Sequence, residues 1–120
     1  MAVVIPSQLE IVKRLSELSR LLDAATDEVA VLDEDAVRAK QANEVAYARA
    51  FLAADGPMDA RKAQAVIVTA DAALAMELAQ AKHRACRERI RTLGVQIEVG
   101  RTLSAATRSQ FAAEAVGQHT

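Results

Sequence analysis

Apolar residues recur about every 3.5 residues through the first half of the chain, between Ser7 and Ala54. This spacing is typical of the seam of a left-handed coiled coil, so it predicts one long helix. Large side chains fill the stripe up to Leu32, and alanine dominates it afterwards. One polar member, Asn43, is expected to fix the register. The stripe consists of Ile11, Leu15, Leu18, Leu22, Ala25, Val29, Leu32, Ala36, Ala39, Asn43, Ala46, Ala50 and Ala53.

A turn is predicted at 54–59, where the sequence is "ADGPMD". Gly56 suits the position after a helix end, and Pro57 cannot continue a helix. Asp59 is expected to cap a second helix. We therefore predict an all-α protein, a long antiparallel helical hairpin with coiled-coil packing. The whole chain, 1–120, is predicted to be a single helical domain, with helix one at about 7–54, the turn at 55–58 and helix two at about 59–114.

Two segments are candidate positions for a kink or a break. The acidic segment 32–35 could interrupt the first helix or cap a new one. In 94–100, Gly94 and Gly100 flank the alternating run "VQIEV", which could form a short strand. The helical interpretation is favoured there, because Ile90, Leu93 and Ile97 continue a helical spacing. The sequence does not decide whether the two long helices are continuous.

The apolar surface is larger than two helices can cover. Residues 63–81 are apolar around most of the helix circumference and are predicted to be the most buried part of the chain. A second apolar set, on another face of the first helix, consists of Val31, Val37, Val45, Phe51 and Leu52. These features predict a homo-oligomer, whose seam residues are predicted to be Leu15, Leu18, Leu22, Val29, Leu32 and Asn43. The apolar N-terminal arm "AVVIP" could dock on a neighbouring subunit or cover the open end of the hairpin.

Composition narrows the function classes. The formal net charge is −1, so attraction to nucleic acid or membrane can come only from local patches. The single cysteine, Cys86, cannot form an intrachain disulfide, which fits a reducing compartment. The start of the sequence lacks the pattern of a signal peptide, and the most apolar stretch contains Asp71 and Glu77. We expect a cytoplasmic protein of a bacterial host cell that does not span a membrane.

The segment "KHRACRERIR" at 82–91 is strongly basic. Residues three or four apart share one helix face, so its arginines could form a stripe for DNA phosphates or a protein partner. The predicted binding residues are Lys82, Arg84, Arg87, Arg91 and Arg101. In the alternative interpretation, a turn centred on Gly56 places this segment opposite acidic residues of the first helix. Its cations would then pair with Asp23, Asp27 and Glu28.

No other group of residues indicates a metal-binding, phosphate-binding or catalytic site. His83 and Cys86 are three residues apart, but two ligands do not close a metal site. The acidic cluster at 33–35 lacks the spacing of a calcium loop. The four glycines are isolated, so no phosphate-binding loop is formed, and a helical hairpin offers no obvious apolar pocket. We expect no catalytic residue, metal, cofactor or small-molecule substrate, and hence no enzyme.

Two segments carry a family resemblance: "YARAFLAADGPMDARKAQA" and "RERIRTLGVQIEVGRTLSAATR". They resemble small helical proteins of phages and prophages found among replication and recombination genes. The shared features are a Tyr-x-x-x-Phe-Leu approach to the turn, the basic pair Arg61 and Lys62 after it, and the segment from Arg101 to Leu103. The layout is also loosely similar to the phage recombination mediator, a helical oligomer that helps to load a recombinase onto single-stranded DNA. The resemblance covers about half of the chain. The sequence as a whole is less basic and poorer in aromatic residues than the mediator.

Three functions follow as hypotheses. The resemblance implies a non-enzymatic accessory protein of phage DNA recombination or replication, which binds single-stranded DNA or a recombinase through the basic helix face. The alternative is a structural or adaptor coiled-coil protein that binds no nucleic acid. An inhibitor of a host protein is a third hypothesis, for which the sequence names no target.

Overall fold

The computed structural model describes residues 7–117, which contain three helices and no strand: α1 Gln8–Ala53, α2 Met58–Val68 and α3 Ala70–Gly117. The predicted all-α helical hairpin is thus confirmed. A reciprocal capping box starts α1, because the Glu10 N–H donates to Ser7 Oγ (3.2 Å) and the Ser7 N–H donates to Glu10 Oε2 (3.1 Å). The N-terminal arm lies outside the described residues.

The predicted turn follows α1. Gly56 has a φ of +105°, a backbone conformation that residues with a Cβ rarely adopt. Pro57 (φ −63°, ψ 162°) occupies the N-cap position of α2. The prediction that Asp59 caps this helix is wrong, because α2 already begins at Met58. Asp59 lies in the first helical turn, where a carboxylate is stabilised by the helix dipole.

Helix two of the prediction is interrupted at one residue, Thr69, which separates α2 from α3. Its hydroxyl (2.7 Å) and its backbone N–H (3.0 Å) both donate to the Ala65 carbonyl oxygen. Thr26, Thr102 and Thr107 make the same hydroxyl bond inside continuous helices, so this bond alone does not account for the interruption. The candidate breaks at 32–35 and 94–100 are instead helical, within α1 and α3 respectively.

The helices contribute to two compact units, of which the first contains α1 up to Thr26 and α3 from Glu88. The two segments are antiparallel: Gln8 Nε2 donates to Ser104 Oγ (3.0 Å), and Leu15 lies against Gly100. The core of this unit combines one stripe from each helix. It consists of Leu18, Ala25, Leu93 and Ile97, with Leu15, Leu21, Leu22 and Ile90 packed against them.

The second unit spans 27–87 and contains the rest of α1, α2 and the first part of α3. Asn43 Nδ2 lies 3.7 Å from Met76 Sδ, and Asp33 Oδ1 lies 3.6 Å from His83 Nε2, so these segments are also antiparallel. A turn centred on Gly56 would have placed Asn43 opposite Thr69. The facing residues are shifted along α3, because α2 and the interruption at Thr69 lie between the turn and the paired part of α3.

The predicted stripe of α1 is the surface that packs within the chain. Every member from Ile11 to Ala50 is buried or half-buried, whereas Ala53 is exposed and Ala54 is buried instead. Among the predicted oligomer seam residues, Leu15, Leu18 and Leu22 pack in the core of the first unit, Asn43 contacts Met76, and Val29 and Leu32 are half-buried. A seam already occupied by α3 is not an exposed surface for a second copy.

The prediction that 63–81 is the most buried segment is wrong. Only Ala65 and Thr69 are buried there, and Ile67 is 75% exposed. A single facing helix covers one face of this segment and leaves the rest to solvent. The second apolar set of α1 is also mostly exposed, as Val31, Val37, Val45 and Leu52 show. Phe51 is half-buried, with the Arg61 guanidinium 5.9 Å from its ring centroid.

Candidate nucleic-acid interface

Three of the predicted binding residues, Lys82, Arg84 and Arg87, lie on the part of α3 that belongs to the second unit. All three are exposed. Within residues 7–117 none of them forms an ion pair. Helical spacing places Arg84 and Arg87 on one side of α3. Their charges are therefore solvated and unneutralised, which is the state in which a cation can bind an external phosphate.

The other two, Arg91 and Arg101, lie on the part of α3 that belongs to the first unit. Each is paired with a carboxylate three residues earlier on the same helix. Arg91 Nη1 lies 3.5 Å from Glu88 Oε1, and Arg101 Nη1 lies 3.0 Å from Glu98 Oε1. All four side chains are about 70% exposed or more. Such surface pairs contribute roughly 0–1 kcal/mol, so a phosphate can compete for these arginines.

Two of the three acidic residues predicted to pair with the basic run do not do so within residues 7–117. Asp23 and Asp27 form no ion pair within the part of the chain that the structure describes. Asp33, just beyond the predicted acidic segment, contacts the run through His83. A turn centred on Gly56 would have placed residue 79 opposite Asp33, so His83 lies four positions further along α3 than that turn predicts.

The remaining polar constellations show structural roles. Cys86 is buried. In the acidic cluster, Asp33 contacts His83, and Glu34 Oε1 accepts from Arg38 Nη2 at 2.7 Å. The described residues contain no group of three histidines, cysteines or carboxylates arranged to hold a metal ion. Nothing in this part of the molecule forms the ligand set of a metal centre.

One feature was missed by the sequence analysis: an open apolar groove of about 490 Å³ between the two helices of the first unit. The two charged residues that line the groove, Glu10 and Arg14, both already have a hydrogen-bond or ion-pair partner. Glu10 accepts from the Ser7 N–H in the capping box, and Arg14 lies 3.1 Å from Glu17. The groove thus offers a hydrophobic surface without a spare acid or base. It is lined by Glu10, Ile11, Arg14, Leu15, Leu18, Val95, Gln96, Val99, Gly100 and Leu103.

None of the described helices combines the length and the apolarity needed to cross a bilayer. Comparison with models of known protein families, with curated proteins and with solved structures gives no match. The function must therefore be inferred from the resemblance in the sequence and from the chemistry of the surface, in which the unneutralised cations of α3 and the exposed apolar side chains are the prominent features.

Proposed function

We propose that this protein is a non-enzymatic accessory factor of phage DNA recombination or replication, which self-associates and binds DNA phosphates through the basic residues of α3. The observation that carries the proposal is the state of Lys82, Arg84 and Arg87, which are exposed and form no ion pair within residues 7–117. Binding to phosphates releases condensed counterions, so a short cationic segment suffices even on a chain with a net charge of −1.

The five predicted residues are expected to contribute unequally. A phosphate can contact Lys82, Arg84 and Arg87 without displacing a protein carboxylate. At Arg91 and Arg101 it must compete with Glu88 and Glu98. Reversal of the charge of Arg87 should therefore weaken DNA binding more than reversal of the charge of Arg101.

Contacts with bases are not part of the proposal. Stacking of single-stranded bases requires aromatic side chains near the cationic surface. The chain has three aromatic residues: Tyr47 and Phe51 on α1, and Phe111 near the end of α3. None is within the basic run. Binding should accordingly be independent of base sequence and strongly dependent on salt. A recombinase with an acidic surface is the protein partner that the same residues would suit.

The test is fluorescence anisotropy of labelled single- and double-stranded oligonucleotides at a series of salt concentrations. The logarithm of the binding constant should fall linearly with the logarithm of the salt concentration, by about 0.9 per phosphate contact on duplex DNA. Arg87→Glu should reduce both affinity and slope. Arg20→Glu is the matched control, because Arg20 is exposed, lies outside the basic run and forms no ion pair in the described chain. Absence of binding at low salt would overturn the proposal.

A second candidate function, a structural or adaptor protein, is favoured by a different observation. Among the described residues, the buried core contains only four large apolar side chains, whereas seventeen are exposed. A surface of this kind is typical of a protein that associates with other helices. The two functions differ in one measurement, because an adaptor would self-associate or bind a protein partner while showing no salt-dependent affinity for oligonucleotides.

A further inference from the structure

The part of α3 in the second unit carries an apolar stripe on the side that α1 leaves open. Leu74 and Leu78 are 54% and 53% exposed, and Ala81 and Ala85 are exposed too. These residues are separated by four, three and four positions, which is the a and d spacing of a coiled coil. We call Leu74, Leu78, Ala81 and Ala85 the outer stripe. It is a helix-packing surface without a partner in the described chain.

We propose that the outer stripe binds the outer stripe of a second copy of this chain, with the two α3 helices antiparallel about a twofold axis between Leu78 and Ala81. The proposal rests on the self-association included in the proposed function and does not depend on DNA binding. A twofold interface uses the same surface of both subunits, so this stripe must be complementary to itself. Side-chain size and charge both meet that requirement.

Side-chain size selects the antiparallel direction. In that direction Leu78 faces the partner subunit's Ala81, and Leu74 faces the partner subunit's Ala85. Each layer then holds one leucine and one alanine, so the two helices stay at a constant distance along the stripe. Parallel helices would stack leucine on leucine in two layers and alanine on alanine in the other two, which gives uneven packing.

Charge complements the same arrangement. Glu77 and Arg84 flank the outer stripe on one side, both are exposed, and neither forms an ion pair within residues 7–117. In the antiparallel dimer Glu77 lies beside the partner subunit's Arg84, and the symmetry generates a second such pair. These positions flank the seam as the e and g positions of a coiled coil do, where charges set partner choice and orientation. In that dimer a phosphate must compete with Glu77 for Arg84, whereas Lys82 and Arg87 remain without a carboxylate partner among the described residues.

Crosslinking of single cysteines tests the register. In a Cys86→Ala background, Ala81→Cys places two thiols near the axis, about 4.5 Å apart along the helix direction at 1.5 Å per residue. Ala85→Cys on the same stripe places them about 16 Å apart along that direction. A short bifunctional maleimide should therefore link Ala81→Cys subunits efficiently and Ala85→Cys subunits poorly. Equal crosslinking of the two variants would indicate parallel helices, and crosslinking of neither would indicate another surface; either result overturns the proposal.

Charge reversal tests the partner. By sedimentation velocity without DNA, Glu77→Arg should weaken dimerisation about tenfold or more, since two favourable pairs become two repulsive ones. Adding Arg84→Glu should restore the dimer. Glu44→Arg is the matched control, because Glu44 is exposed in the same unit and forms no ion pair in the described chain. If Glu77→Arg and Glu44→Arg behave alike, the seam is elsewhere.

The outer-stripe dimer and the binding of DNA phosphates can be refuted independently of each other. Glu77→Arg removes no cation from the basic run, so DNA affinity per chain should not fall through loss of charge. A monomeric wild-type protein that binds oligonucleotides would overturn the outer-stripe dimer and leave the phosphate contacts standing. A dimer with the expected crosslinks that binds no oligonucleotide would overturn the DNA proposal alone.

Discussion

Two glycines of α3 offer a matched test of how closely the helices of the first unit approach. A Cβ added at Gly100 would lie 2.6 Å from Leu15 Cδ2 and 3.3 Å from Leu15 Cγ. A Cβ added at Gly94 would meet nothing within 4 Å. Both positions are helical. Gly94→Ala should therefore stabilise the protein, whereas Gly100→Ala should not.

The expected change in the free energy of unfolding follows from two opposing effects of a glycine-to-alanine substitution. Replacing glycine with alanine inside a helix gains about 0.8–1.0 kcal/mol at either position, because the unfolded backbone loses freedom. At Gly100 the new methyl group meets Leu15 Cδ2, the end of a flexible side chain that lines the open groove and can move into it, so the cost lies at the low end of the ~1–3 kcal/mol typical of overpacking. Gly94→Ala should thus raise the free energy of unfolding by about 1 kcal/mol. Gly100→Ala should change it by less than about 0.5 kcal/mol, because the helix gain and the overpacking cost nearly cancel.

Urea denaturation followed by circular dichroism, at one fixed protein concentration, measures both changes. A double-mutant cycle assigns the cause. In a Leu15→Ala background the obstructing methyl groups are absent, so Gly100→Ala should become stabilising by about 1 kcal/mol. If Gly100→Ala stabilises the wild-type protein as much as Gly94→Ala does, Leu15 does not pack closely over Gly100 and the reasoning is refuted.

Two further predictions concern the core and the start of α1. Leu18→Ala should destabilise the protein by about 2–5 kcal/mol, because the Leu18 side chain is buried, with 3% exposure. Leu52 is 79% exposed, so Leu52→Ala should change stability by less than about 0.5 kcal/mol. Equal effects of the two substitutions in thermal unfolding would contradict the described core. Ser7→Ala should cost about 1 kcal/mol, because it removes the acceptor of the Glu10 N–H. Exposed Ser19, inside α1, is the control, and a comparable loss on Ser19→Ala would argue against the capping box.

The features that the sequence predicted correctly are local ones. The stripe from Ile11 to Ala50 follows from helical periodicity, and one face of a helix must pack wherever its partner lies. The turn follows from Gly56 and Pro57, whose backbone preferences are properties of single residues. Both predictions needed no knowledge of the neighbouring helix.

The errors arise where several weak preferences compete. No glycine or proline marks the interruption at Thr69. In the second unit the residues of α3 that face Asn43 and Asp33 lie further along than a turn centred on Gly56 predicts. Within this unit the shift brings Asp33 to His83. The positions of the charged side chains relative to one another could not be read from spacing alone.

A heptad stripe specifies that a helix has a partner but not whether that partner belongs to the same chain. Leu15, Leu18 and Leu22 satisfied the pattern expected of an oligomer seam, and α3 of the same chain packs against them. Apolarity around the whole circumference of 63–81 carries different information, because one facing helix cannot cover it. The intrachain contact leaves Leu74 and Leu78 of α3 exposed, together with Val66, Ile67 and Val68 of α2. Association between copies is therefore better sought on the outer stripe of α3 than on the stronger stripe of α1.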